Sequence, residues 1–225
     1  MAKNHLKSIA APKTWKIKRK KHIWITKPKG SHKLEQCMSI NTILKDFLKY
    51  AKTNREVKRI ISKKGVFIDG VKIKKPDQSA GLMDIIAIPE IKESYRIMLD
   101  SKGKIDLLKV DEKTKLCKII NKTRIGKKTQ LNLFGGKNVL VDKDDYKVGD
   151  TVILEFPENK IKGSVKLEKG SLCYLIGGNH IGEVGVINKI EGDKIIVKTK
   201  DEEFETLKKF IYMVGKEKPL IKFEK

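Results

Sequence analysis

Cysteine and long apolar runs are in short supply in this sequence, acids are outnumbered by bases, and each of these excludes something. Only three cysteines occur in 225 residues, Cys37, Cys117 and Cys173, far apart and in no CxxC or Cys/His cluster. An odd, scattered set argues against a disulfide framework and a zinc site, and fits reduced thiols that serve as packing residues. No apolar run approaches the roughly 20 residues of a membrane-spanning helix. The basic N-terminus lacks the apolar stretch of a signal peptide, and no lipidation motif follows. A cytoplasmic chain with no membrane partner is therefore expected. The acids number 28 against 51 lysines and arginines, a formal charge of +23. A folded chain with that imbalance repels itself unless a polyanion neutralises it, and nucleic acid is the strongest candidate.

The excess of cations is uneven. Residues 1–39 hold eleven lysines and arginines against one acid, whereas residues 172–225 hold ten against nine. The first of these segments has no sustained period and is punctuated by Pro12, Pro28 and Gly30. Trp15 and Trp24 bracket the cluster Lys18, Arg19, Lys20 and Lys21. Basic groups neutralise phosphates and release counterions, and a flat aromatic can stack on an unpaired base. For the tryptophans themselves, packing on the body of the protein is the favoured reading over base stacking. The candidate RNA contacts in this arm are Lys3, His5, Lys7, Lys13, Trp15, Lys18, Arg19, Lys20, Lys21, Lys27, Lys29, His32 and Lys33. The arm is expected to order only on binding, which is why it can lack a core of its own.

From Ser39 the pattern changes. Ile40, Ile43, Leu44, Phe47, Leu48 and Ala51 repeat as one face of an amphipathic helix, with Ser39 as N-cap. Thr53-Asn54-Arg55-Glu56 is a capping box, Val57, Ile60 and Ile61 form the buried stripe of a second helix, and Gly65 is its stop. The other face of that helix adds candidate contacts: Arg55, Lys58, Arg59, Lys63 and Lys64. Val66 to Ile73 reads as two short strands about an Asp69-Gly70 turn, a strong hairpin signal. An apolar strand follows at Ile85–Ile88. Beyond it, short strands are expected at 95–99, 104–109, 115–120, 138–141 and 148–156, then at 172–176, 184–190, 195–199 and near 210–214. The expected fold class is α+β. A basic extension (1–38) precedes a two-helix, small-sheet domain (39–90), a central β-barrel-like domain (91–171) and a second small barrel (172–225).

Nothing in the sequence assembles an active site. Gly126-Lys127-Lys128-Thr129 looks like a P-loop fragment, but Asn121 stands where the first glycine belongs and an extra lysine intervenes. Lys127 and Lys128 are instead kept as candidate RNA contacts. The glycines 177, 178, 182 and 185 precede a β-branched strand rather than the helix a dinucleotide loop requires, so they serve tight turns and close backbone approach. The four histidines show no metal spacing, and no nucleophile elbow or paired-carboxylate signature is present. No catalytic residue, cofactor, metal or small-molecule substrate is expected.

Several blocks together resemble the small-subunit ribosomal protein family S4e. They are His5-Leu6-Lys7, Ala10-Ala11-Pro12-Lys13 with Trp15, Gly30-Ser31-His32-Lys33-Leu34-Glu35-Gln36-Cys37, Gly81-Leu82-Met83-Asp84, Lys115-Leu116-Cys117-Lys118, and Gly177-Gly178 with Gly182 and Gly185. The resemblance spans nearly the whole chain in order, and the lack of a longer C-terminal tail points to the archaeal form. Residues 53–70 are similar to an S4-like RNA-binding module, which implies that the second helix presents its cations to RNA. Gly65 stands one residue later than in many such modules. Residues 170–190 resemble a KOW motif within a Src-homology-like barrel, with Gly182 as its central glycine. The resemblance implies a ribosome-bound structural protein whose partners are small-subunit ribosomal RNA and neighbouring small-subunit proteins. An RNA-modifying enzyme with a borrowed RNA-binding module, such as a pseudouridine synthase, and a transcription or translation factor are the rival classes.

Overall fold

The computed structural model describes residues 5–112, 114–142, 144–199 and 202–223. These form two compact units, the first of 5–98 with 104–112 and the second of 99–103 with 114–223. The chain is mostly strand with two short helical segments, an α+β composition.

In the first unit Ser39 caps its helix as expected, its Oγ accepting from Thr42 N at 3.3 Å. The helix begins at Ile40–Thr42 and widens into a π-turn over Ile43–Phe47. Ile40, Ile43 and Leu44 are buried, the stripe its period implied. The second helix, Asn54–Arg59, is likewise continued by a π-turn, Ile60–Lys64, and stops at Gly65 with φ +70°. Its capping box forms: Thr53 Oγ1 accepts from Glu56 N at 3.3 Å, and Glu56 Oε2 accepts from Lys52 N at 2.7 Å. The Lys52 N–H first, and then the Thr53 hydroxyl donating to Glu56 Oε1 at 3.0 Å, hold the Glu56 carboxyl below its ordinary range.

Both helices belong with a five-stranded sheet in the order Val71–Lys72, Phe67–Ile68, Ile85–Ile88, Glu93–Leu99, Ile105–Lys109. The Asp69-Gly70 hairpin turns with φ positive at both residues, +50° and +77°, the combination that matches strand twist in a two-residue loop. Buried Asp69 also accepts from Ile85 N at 2.9 Å, which pins the hairpin to the central strand. Glu93 ties the end of the first helix to this sheet. It accepts from Tyr50 and Tyr95 hydroxyls, both at 2.5 Å, and from Lys109 Nζ at 2.7 Å. The Lys109 ammonium first, then the two hydroxyls, hold its carboxyl down near 2.

Two expectations are corrected in this unit. The strands expected at 95–99 and 104–109 do not open the central barrel. Ile85 pairs with Arg96 and Ile88 with Glu93, so these strands complete the sheet of the first unit. The arm is also folded rather than disordered until bound. Leu6–Lys7 pairs with Trp24–Ile25, Thr14 accepts from Ile105 N at 2.8 Å, and Trp15 is only 2% exposed. One large indole, with Ala11 and Ser8 beside it among the buried residues, gives the segment a small core.

The second unit holds two five-stranded antiparallel sheets. The first runs Asn138–Val141, Lys128–Leu133, Thr114–Ile125, Thr151–Glu155, Lys160–Val165. Its core is Cys117, Ile119, Leu131, Leu133, Val152 and Leu154, every second residue of three adjacent strands. The second runs Glu203–Leu207, Lys194–Lys198, Val184–Glu191, Leu172–Leu175, Ile211–Gly215, over Cys173, Leu175, Ile187, Ile195, Val197, Ile211 and Met213. The strands Lys128–Leu133, Lys160–Val165 and Glu203–Leu207 were not expected. The last two are edge strands, dominated by exposed polar residues.

Lys118 joins the two sheets. Its ammonium donates to the carbonyls of Ile211 at 2.6 Å, Lys208 at 2.8 Å and Lys209 at 3.3 Å, while Tyr212 Oη donates to Leu116 O at 2.6 Å. Burial first, and then the Lys208 ammonium, pushes the amine down to about 8, so it stays charged at neutral pH and all three protons find carbonyls. The unfolded lysine holds its proton up to about 10.5, so between pH 8 and 10.5 the unfolded chain binds more protons than the folded one. Stability from this group therefore rises with pH through that window. Compared with Lys118→Met in chemical melts, the wild type is expected to gain up to about 1.4 kcal/mol per pH unit there. At pH 7 the variant loses about 2–4 kcal/mol, because three carbonyls, that of Ile211 buried and those of Lys208 and Lys209 part-buried, lose their donor.

Candidate nucleic-acid interface

The strand pair Leu6–Lys7 with Trp24–Ile25 closes residues 8–23 into a loop, and Ser8 N donates to Ile23 O at 2.9 Å across its neck. The loop buries Ala11 and Trp15 on its inner side and leaves most of its lysines in solvent. Lys18, Lys20 and Lys21 are exposed on it, as are His5, Lys7 and Lys13. Lys33 is exposed further along, Lys27 is half-buried, and Lys29 is exposed but paired with Asp77 at 2.9 Å. Lys3 lies outside the described residues.

Three expected contacts do other work. Trp15 is a core residue, so its ring faces cannot stack on a base. Arg19 has its guanidinium engaged by the carbonyls of Ala11 at 2.6 Å and Pro12 at 2.7 Å, which staples the loop from inside. The His32 side chain is 7% exposed, and its Nε2 lies 3.0 Å from Asp84 Oδ2. That carboxylate also accepts from Gly81 N at 2.8 Å, and a Cβ on Gly81 would stand 2.2 Å from the His32 ring. His32, Gly81 and Asp84 form an internal knot.

The second helix keeps its cations in solvent. Arg55, Lys58, Arg59 and Lys63 are exposed, on the side away from buried Val57 and Ile61. Lys64 is exposed and pairs with Glu90 at 3.0 Å. In the second unit Lys127 is exposed in the tight turn between Ile125 and Lys128, and Lys128 pairs with Asp142 at 3.1 Å. Exposed ion pairs of this kind are worth about 0–1 kcal/mol, so a phosphate displaces them at little cost.

The structure adds a feature the sequence reading missed. Between the arm loop and the first helix lies a cleft of about 620 Å³. Lys16, Lys18, Lys21 and Trp24 line one side; Lys45, Lys49 and Lys52 line the other; Asn41 and Asn54 also line it. Asp46 is the one carboxylate of its wall. Lys16 is held by Asp106 at 3.1 Å. Lys45 lies in the π-turn of the first helix, whereas Lys49, with φ +57°, and Lys52 follow past its end, so the helical i, i+4, i+7 spacing of the three in the sequence is not carried through by one helix. Arm and helix thus combine into one concave, cationic surface with an exposed indole at its edge. Its chemistry suits phosphates and unpaired bases.

Comparison with known proteins agrees with this chemistry. Residues 91–161 match the model of ribosomal family S4e, and residues 2–35 match the RS4NT (NUC023) domain. The small ribosomal subunit protein eS4 of Methanosphaera stadtmanae is 41% identical over 98% of this chain and 95% of its own. The chain belongs to ribosomal family S4e. The eS4 proteins of Methanococcus maripaludis and Methanococcus aeolicus are 39% and 41% identical, each alignment covering 97% of both chains. Among solved structures, the 30S ribosomal protein S4e from Thermoplasma acidophilum matches with a TM-score of 0.69 and 30% identity, over 80% of this chain and 95% of that one. The RS4NT match covers the arm that lines the cleft in this S4e chain. The S4e match covers most of the first sheet of the second unit.

Proposed function

We propose that this S4e chain is a structural constituent of the small ribosomal subunit, binding ribosomal RNA and supporting translation. The observation that carries the reading is the concentration of exposed cations on the arm loop, on the second helix and, at Lys49 and Lys52, on the segment between the two helices of one unit. Phosphate neutralisation provides affinity, and the rigid helix face Arg55, Lys58, Arg59 and Lys63 provides registry. A-form RNA hides its major-groove edges, so these contacts go to phosphates, 2′-hydroxyls and unpaired bases. Residues 39–90 act as an S4-like RNA-binding module extended by two further strands, and 172–225 as a KOW-type, Src-homology-like barrel. The latter carries nearly balanced charge and takes neighbouring ribosomal proteins as its partners. The family is one of structural ribosomal proteins rather than enzymes, and the place of action is the ribosome in the cytoplasm. No helix among the described residues is long and apolar enough to cross a membrane. The test is sedimentation of a lysate containing the tagged chain. A structural constituent co-migrates with small subunits in one-to-one stoichiometry and stays bound in moderate salt. A chain found mainly at the top of the gradient contradicts the reading.

A further inference from the structure

We infer that the basic cleft of the first unit holds a single unpaired nucleotide, with its base amino group on Asn41 and its ring against Trp24. This rests on the reading of the chain as an RNA binder and specifies what one of its sites takes.

Three observations converge. Asn41 is 5% exposed, and its Nδ2 is fixed by donating to Thr26 Oγ1 at 2.6 Å and Asn54 Oδ1 at 3.1 Å. Its Oδ1 is buried without a hydrogen-bond partner. A buried acceptor left unsatisfied is costly, and this one belongs to a residue lining the cleft, so a donor arriving in the cleft relieves it once the wall shifts enough to uncover the oxygen. Trp24 is 58% exposed, with His5 tilted beside it at 5.7 Å between ring centroids, and it lines the same cleft. An indole left so open gains little from folding but offers a face for a base. The volume of about 620 Å³ lies in the range of about 300–1,000 Å³ typical of small-ligand sites.

The chemistry sets the preference. An amide oxygen accepts, so it rewards a base with an exocyclic amino group (adenine, cytosine or guanine) over uracil, which offers only a ring N–H. A duplex base is excluded, because both its faces are stacked and its amino group is paired. Lys21, Lys45 and Lys49 then meet the phosphates flanking the extruded nucleotide.

The experiment uses the full chain and three single strands of about seven nucleotides, the length scale of a short single-strand site. They are oligoadenylate, oligouridylate and an abasic ribose-phosphate strand of equal charge. The chain has two tryptophans, and Trp15 is buried, so base-dependent quenching in the wild type reports on Trp24, while anisotropy of end-labelled strands gives the affinities for every strand and variant. The expected result is quenching by oligoadenylate and affinity about fivefold or more above the abasic strand, with oligouridylate between. Asn41→Ala and, as a surface change that spares the fold, Trp24→Ala bring oligoadenylate down to the abasic level without altering the binding of the abasic strand. Equal affinity for all three strands, or an adenine preference that survives both substitutions, overturns the inference. In those outcomes phosphate-driven binding remains, and with it the ribosomal reading. If ribosomal RNA itself fails to bind, both fall together.

Discussion

Changing Arg55, Lys58 and Arg59 together to glutamate is expected to weaken binding to small-subunit ribosomal RNA by about a hundredfold at physiological salt. The three side chains are exposed on one helix, and none of them is among the described ion pairs of the structure. Each phosphate contact contributes roughly 0.7–0.9 to the slope of log affinity against log salt, so losing three reduces the slope by about 2–3. Repulsion from three new carboxylates adds to the loss. The helix itself survives the change. Thr53 still caps it, buried Val57 and Ile61 are untouched, and glutamate is a good helix former. Filter binding across a salt series, with circular dichroism as the folding control, separates lost contacts from a lost fold. An unchanged slope would remove this helix from the interface.

Gly182→Ala should lower the stability of the second unit by about 3–5 kcal/mol, the sum of backbone strain and a clash that cannot be relieved by rotating a side chain. Gly182 has φ +86°, and a Cβ there would lie 2.3 Å from the Asp100 carbonyl oxygen and 2.6 Å from its carbon. Both obstacles are backbone. Gly178 is the matched control, since its φ is +89° and nothing lies within 4 Å of its hypothetical Cβ. Gly178→Ala therefore carries the strain alone, about 1–2 kcal/mol. Thermal or urea melts of the two variants measure the difference, and equal losses would show that the approach to Asp100 contributes nothing. The glycine at position 182 is thus explained by this chain's own packing.

What the sequence disclosed and what it concealed divide along the range of the interactions involved. The Asp69-Gly70 hairpin, the Thr53–Glu56 capping box and the Ile40/Ile43/Leu44 stripe were legible, because turn chemistry, caps and periodicity are all decided within a few residues. Strand partners were not. The alternation in 93–99 says that a strand exists but not that it pairs with Ile85–Ile88 rather than with a later barrel. The cationic character of the site was plain from composition, whereas the division of labour within it was not. Trp15 and Trp24 sit in the same irregular segment, and only tertiary packing buries the first and exposes the second. His32 finds Asp84 across more than fifty residues of sequence. Arg19 finds carbonyls, which every residue carries and no motif announces. Asn41 was hidden for a related reason: a polar residue inside an apolar stripe reads as an interruption until its neighbours Thr26 and Asn54 are seen.

The most direct test of the account is ultraviolet crosslinking in cells, with sequencing of the RNA attached to the chain and mapping of the peptides that carry it. The account predicts reads concentrated at a few positions of small-subunit ribosomal RNA, joined through peptides spanning 5–36 and 53–65. Reads dominated by transfer RNA or messenger RNA, or crosslinks confined to the C-terminal sheet of the second unit, would contradict it.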